Sequence, residues 1–248
     1  MSTIDTGDTA WVLASSCLVM IMTPGVGFFY GGLVNASNIL TTITQSLITY
    51  AVVSLLWFFF CFSLVFGPST NGSGFLGDLT YGVLENVGLD PHDFYATTCP
   101  FILFFFFQLT FAAITPALIS GAISTRIKLS SFIVFISAWS IIVYAPIGHW
   151  VWNQTGRALK LGAIDFAGGF VVHTSSGFAA LAGAIVIGRR KDENETKPCN
   201  IPLVLVGTAL SWFGWYGFNG GSALGANALA GYACVNTNMA ATAAALAL

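Results

Sequence analysis

Apolar side chains run through seven stretches of the chain, at residues 10–34, 40–66, 95–122, 129–149, 166–188, 201–219 and 226–248, with polar residues gathered between them. Five stretches are long enough to cross a hydrocarbon core, which takes about 20 residues of helix. The other two come close once their glycines and prolines are accepted as membrane-tolerated. Each is expected to be helical, because backbone in lipid has no water to bond and a helix satisfies its own N–H and C=O groups. Residues 67–94 form one long acidic loop with Asp78, Glu85, Asp90 and Asp93, and "RRKDENETK" at 189–197 is the one dense charge cluster. The pattern predicts an all-α integral membrane protein, a multi-span helical bundle.

Composition agrees. Hydrophobic residues make up 56% of the 248 and charged residues 7%, against roughly 25% charged in soluble domains. A net charge of −2 gives no basic surface for nucleic acid, so that partner class is set aside. The five cysteines contain no C-x-x-C, which points to apolar packing and away from a metal knot or a disulfide framework. Asp5 and Asp8 precede the first apolar run without any Lys or Arg, so it lacks the n-region of a signal peptide and is expected to be retained. No Walker or dinucleotide fingerprint occurs, and no cofactor is expected.

Lys and Arg favour cytoplasmic loops and so orient the chain. With the N-terminus outside, Arg126, Lys128, Arg189, Arg190, Lys191 and Lys197 fall inside, and Arg157 and Lys160 outside. The sequons Asn71-Gly-Ser and Asn153-Gln-Thr then lie outside as candidate glycosylation sites, with Asn35-Ala-Ser and Asn194-Glu-Thr inside. An internal echo also appears. "FFYGG" (28–32) and "GFNGG" (217–221) share Phe-x-Gly-Gly at Phe29 to Gly32 and Phe218 to Gly221, five spans apart, as in transporters built from inverted repeats.

Candidate chemistry centres on "DFAGGFVVHTSSGFAALAGA" (165–184), where His173 interrupts small and apolar residues. Gly169, His173, Gly177, Ala180 and Ala184 fall on one helical stripe, which suits either a tight helix pair bonded through the histidine or a histidine lining a passage. Asp165 stands where a carboxylate caps a helix start. Phe107 and Phe111 share a helix face with Gln108 between them, and Trp152, Trp215, Phe218 and Ser222 lie toward the same outer ends. Such rings could hold a small cation, although "FFFF" at 104–107 reads first as lipid-facing and Trp at interfaces as an ordinary aromatic belt. His149 reads as structural and His92 as a solvated loop residue. Ser175 and Ser176 share a helix with His173 and lack the opposed base and orienting group of an activated serine, so the chain is not expected to be an enzyme.

Taken together, "MTPGVGFFYGGL" (22–33), "FQLTFAAITPALISGAISTRIKLSSF" (107–132), "PIGHWVW" (146–152), "DFAGGFVVH" (165–173) and "WYGFNGGSALGANALAGYACVNTNMAATAAA" (215–245) resemble the ammonium transporter family, the Amt/Mep/Rh group. The resemblance implies a homotrimer of eleven-helix subunits in the plasma membrane, each with a pore between two inverted five-helix repeats. About seven helices are expected in this chain, with 1–200 as the first repeat and 201–248 as the start of the second. It implies that Phe107, Trp152 and Ser222 form an outer ammonium recruitment site, that Phe111 and Phe218 are stacked rings closing the pore, that Asp165 is a supporting carboxylate, and that His173 is the first of two pore histidines. The family's second histidine would lie beyond Leu248, so the sequence is expected to be a fragment. Ammonium or ammonia is then the substrate and the lipid bilayer the surroundings. The alternative is an ammonium sensor or regulatory subunit that binds without conducting.

Overall fold

The first helix begins where the Asp5 carboxylate accepts the Asp8 N–H at 2.9 Å, closing one of the open donors of a helix start. The computed structural model describes residues 3–190 and 197–247. They form helices α1 (Thr6–Leu33), α2 (Ala36–Phe66), α3 (Phe101–Ile123), α4 (residues 129–152), α5 (Gly169–Ile187), α6 (Ile201–Gly220) and α7 (Ala228–Ala247). The segment 95–100, expected to open the third helix, is instead loop. His92 and Ala96 bond each other's backbone, and Pro100 stands just before α3.

Among the described residues, six helices are long and apolar enough to cross a membrane. The seventh expected span, 226–248, differs: α7 is a 20-residue helix but is not one of those six. Two of its polar side chains are turned toward α6. Asn238 accepts a hydrogen bond from the Tyr216 hydroxyl at 2.7 Å, and Thr237 accepts one from Asn219 at 2.9 Å. Lys191, the Asn194 sequon and Leu248 lie outside the described residues.

The tightest crossing joins α1 to α6, running antiparallel. A Cβ at Gly207 would lie 2.3 Å from the Phe29 backbone nitrogen, and one at Gly217 would lie 2.6 Å from the Leu18 Cβ. Small residues thus let the two backbones touch. The two Phe-x-Gly-Gly echoes sit at opposite ends of this pair. Gly32 faces the Asn200 carbonyl at the start of α6, and Gly221 faces Ser15 near the start of α1.

The aromatic-rich α2 and α3 form the densest core. Trp57 donates its indole N–H to the Phe105 carbonyl at 3.2 Å, and Phe62 lies 5.0 Å from Phe105 and 5.6 Å from Phe101. Phe104, Phe105 and Phe107 are buried, so the "FFFF" run packs inward and is not lipid-facing: Phe62 and Phe66 of α2 and Tyr95 lie against it. Cys61 and Cys99 are likewise buried, but Cys17 and Cys199 are exposed; all five cysteines are free.

Four helices each contain a π-helical turn, at Trp57–Cys61, Ser140–Tyr144, Gly169–Thr174 and Tyr216–Gly220. Such turns insert a residue, re-aim side chains and often accompany functional sites. They face each other in pairs here: Trp57 lies 6.2 Å from Tyr144, and His173 lies 5.7 Å from Phe218.

The loops meet at two ends. At one, Arg126 bonds the Gly188 carbonyl at 2.5 Å and Arg190 bonds the Ser124 carbonyl at 3.3 Å, so these arginines satisfy carbonyls at helix C-termini. At the other, Arg157 stacks 5.1 Å over the Phe75 ring and Trp150 donates to the Phe75 carbonyl at 2.8 Å. His149 is buried with Nδ1 2.9 Å from the Val65 carbonyl and Nε2 2.7 Å from the Ser69 hydroxyl, in line with a structural role. Asn153 is 1% exposed and gives its amide N–H groups to the carbonyls of Val65 and Gly67. Its sequon therefore cannot carry a glycan in this fold, whereas Asn71 is exposed at a loop tip. His92 is not simply solvated either. Its ring packs 4.6 Å from Phe101 and 4.8 Å from Tyr95.

Candidate functional site

A cavity of about 160 Å³ opens at the end of the molecule that carries the long acidic loop. On α3, Phe104, Phe107, Gln108 and Phe111 line it, because positions three and four apart share one helix face. The end of α4 contributes Trp152, and the loop after α6 contributes Ser222 and Leu224. Leu224 holds φ +52, a left-handed conformation that bulky residues avoid and that often marks functional sites. Phe107, Trp152, Ser222, Phe111 and Asp165, singled out from the sequence, are thus brought to one place.

Asp165 fixes the geometry from below. Its Oδ1 accepts the N–H groups of Gly168 and Gly169 at 2.6 and 2.7 Å, and its Oδ2 those of Phe170 and Val171 at 2.8 and 3.1 Å. The carboxylate is therefore a cap for the start of α5, where the helix dipole also favours it. Gly168 makes this turn possible with φ +89, a conformation that suits glycine. The Asp165 carbonyl in turn accepts the Trp152 indole N–H at 3.2 Å, which holds that ring beside the cavity.

Beneath the cavity the rings close together. Phe111 and Phe218 stack with centroids 4.1 Å apart and 26° between planes. Phe107 meets Phe111 edge-on at 4.9 Å, and Trp152 meets it at 6.1 Å. Phe218 is buried; its carbonyl accepts the Ser222 hydroxyl at 2.7 Å, leaving the serine oxygen free to accept.

His173 stands past the stacked pair. Its ring lies nearly parallel to Trp215 at 6.1 Å and 5.7 Å from Phe218. The π-helical turn sets this position, because the His173 N–H reaches back five residues to the Gly168 carbonyl at 3.0 Å. The stripe of small residues around it does not form a tight helix pair among the described residues. Gly169, His173 and Gly177 are exposed, and a Cβ at Gly177 would meet nothing within 4 Å. Gly169 and His173 face an open groove of about 830 Å³ shared with Trp215, Asn219 and Asn236. The buried face of α5 carries Val171, Val172, Ser175 and Ser176 instead. Both serines donate to carbonyls of their own helix, Ser175 to Val171 and Ser176 to His173, so neither is placed as a nucleophile.

Several cavity walls escaped the sequence reading, Phe66 and Tyr95 among them. Phe66 and Tyr95 come from the end of α2 and from the acidic loop, and stack against Trp152 and Phe104 respectively. Nothing in their local sequence distinguishes them from core aromatics. Gln108 was visible between Phe107 and Phe111 but had no assigned role.

The sequence profile of the Ammonium Transporter Family matches residues 10–248. The chain is similar to the ammonium transporter of Bacillus subtilis, with 47% identity over 237 residues that make up 96% of this chain and 57% of that protein. It is similar also to ammonium transporter Amt1 of Archaeoglobus fulgidus, with 49% identity over 240 residues, 96% of this chain and 58% of that one. Among solved structures, Mep2 of Candida albicans superposes with a TM-score of 0.88 at 42% identity, covering 96% of this chain and 53% of that one. A structure described as a sensor Amt protein gives 0.87 at 34% identity, covering 97% and 60%. This chain spans a little over half the length of the relatives it matches.

Proposed function

This chain belongs to the Ammonium Transporter Family, and from that premise we propose that it supplies the outer recruitment site and the first part of the conduit of an ammonium transporter. The observation that carries the reading is the Phe111–Phe218 stack, 4.1 Å between centroids, lying between the aromatic cavity and His173. Ammonium would rest against the faces of Phe107 and Trp152 with an N–H on the Ser222 oxygen. A desolvated cation on such rings gains on the order of 2 kcal/mol. Asp165 stays a cap, and its charge stabilises a cation nearby without touching it.

The stacked rings bar a hydrated ion. A bare cation in hydrocarbon is costly, whereas neutral ammonia loses far less on leaving water. His173 is then the group placed to accept or relay the proton left behind. In the same reading the N-terminus is outside, the membrane is the plasma membrane, the assembly is a homotrimer, and 1–200 and 201–248 belong to two inverted repeats. The reciprocal placement of the two Phe-x-Gly-Gly segments across α1 and α6 supports the last point.

The test is ammonium uptake by cells lacking their own ammonium transporters and expressing the full-length gene product, with and without His173→Ala. Uptake altered by the substitution supports the conduit. Ammonium binding at the cell surface without uptake would replace it with a sensor that binds and does not conduct.

A further inference from the structure

The outer cavity holds one polar side chain to which the transport reading gives no task. Gln108 lies on the α3 face that carries Phe104, Phe107 and Phe111 into the cavity. Its carbonyl oxygen Oε1 is buried and has no hydrogen-bonding partner among the described residues. Buried amide oxygens are ordinarily paired, since leaving water without gaining a donor is unfavourable.

The other side-chain oxygens around the cavity are largely committed. Asp165 accepts four backbone N–H groups on its two oxygens, which fills its lone pairs. The Tyr95 hydroxyl accepts the Gln154 N–H at 3.4 Å. Ser222 has given its hydrogen to the Phe218 carbonyl and keeps an acceptor oxygen. An ammonium ion brings four N–H donors to rings that take only those aimed at their faces. The terminal torsion of glutamine is broad and roughly two-fold, so Oε1 can turn to a cation in the cavity without any backbone movement.

We propose that Gln108 is a specificity-determining residue of this site, its Oε1 receiving an ammonium N–H alongside the Ser222 oxygen; this rests on the recruitment site of the previous subsection. Potassium has nearly the same radius but no N–H to give. It needs a shell of several oxygens, which two side-chain oxygens among aromatic rings do not provide, whereas directed donors on ammonium are satisfied by two acceptors and ring faces.

The experiment is calorimetric titration of the purified full-length gene product with ammonium chloride, with and without excess potassium chloride. Ammonium-driven currents from the same protein in liposomes are recorded in parallel. Gln108→Leu is expected to weaken ammonium binding about tenfold, the loss of one good hydrogen bond to a charged donor, and to let potassium compete. Gln108→Glu keeps an acceptor in place and adds charge, so it should tighten ammonium binding. Unchanged affinity and unchanged potassium rejection in Gln108→Leu overturn the proposal while leaving transport intact. If Gln108→Leu does not yield folded protein, unchanged affinity in Gln108→Glu overturns it. Binding that depends on Gln108 without any current sustains the role of Gln108 and defeats conduction; no ammonium binding by the wild type defeats both.

Discussion

Asp165 is the residue on which the most backbone depends. Four N–H groups converge on its carboxylate, and its own carbonyl holds the Trp152 indole. Asp165→Ala leaves all four donors without their acceptor, and loss of such a helix cap costs about 0.5–2 kcal/mol. The expected result is loss of ammonium uptake together with a lower unfolding temperature in detergent. Asp165→Asn keeps one acceptor oxygen and should fall between the two; an alanine variant as stable as wild type would contradict the capping role. The cap was legible in the sequence, because an aspartate ahead of Gly-Gly and an apolar run is a local signal. The link to Trp152 was not, since the two residues meet only when α4 and the start of α5 are folded together.

At the scale of elements, two joints invite testing. The α1–α6 crossing has no room at Gly207, where an added Cβ would strike the Phe29 nitrogen and the Gly25 carbonyl at 2.3 and 2.5 Å. Backbone cannot yield as a flexible side chain does, so Gly207→Val should destabilise the protein by about 1–3 kcal/mol or more. Thermal unfolding of the purified protein reads this directly.

The second joint is the acidic loop. His92 Nδ1 accepts the N–H groups of Phe94 and Tyr95 at 3.1 and 3.3 Å, and Nε2 lies 3.3 Å from the Tyr81 hydroxyl. That arrangement requires the neutral ring. Burial pushes the His92 pKa down from its ordinary 6.5, with Asp93 pulling weakly the other way. A depressed histidine contributes stability that is present above pH 6.5 and lost as pH falls through its lower folded value. Protection factors at Phe94 and Tyr95, taken relative to the intrinsic exchange rate at each pH, should therefore fall on acidification below about pH 6.5. Protection in His92→Phe, which keeps the stacking but lacks the acceptor, should be low throughout and independent of pH. The extent of the apolar spans was readable from the chain, but the packing of His92 was not: a polar loop looks solvated until Phe101 and Tyr95 are seen on either side of it.

For the whole molecule, orientation follows from the ends. The exposed Asn71 and the buried Asn153 lie in loops at the same end, so only the first can take a glycan. Expressed in a glycosylating host, the protein should gain one glycan that Asn71→Gln removes and Asn153→Gln does not. A glycan at neither position would argue for the opposite orientation in the membrane.

The sequence by itself determined the helical, membrane-spanning character, the Asp165 cap and part of the cavity lining, Phe107, Phe111 and Trp152 among it, because these depend on local composition, on spacing along one helix and on motifs. Tertiary structure decided what each polar group meets. It turned "FFFF" inward, paired Thr237 and Asn238 of α7 with α6, and set Gly169 and His173 of the small-residue stripe along a groove. It also used π-helical turns to place His173 and Phe218 beside each other. Burial and partnership are properties of contacts between elements distant in the chain, and the shift of register in a π-helical turn is stabilised by those contacts and carries no residue pattern of its own.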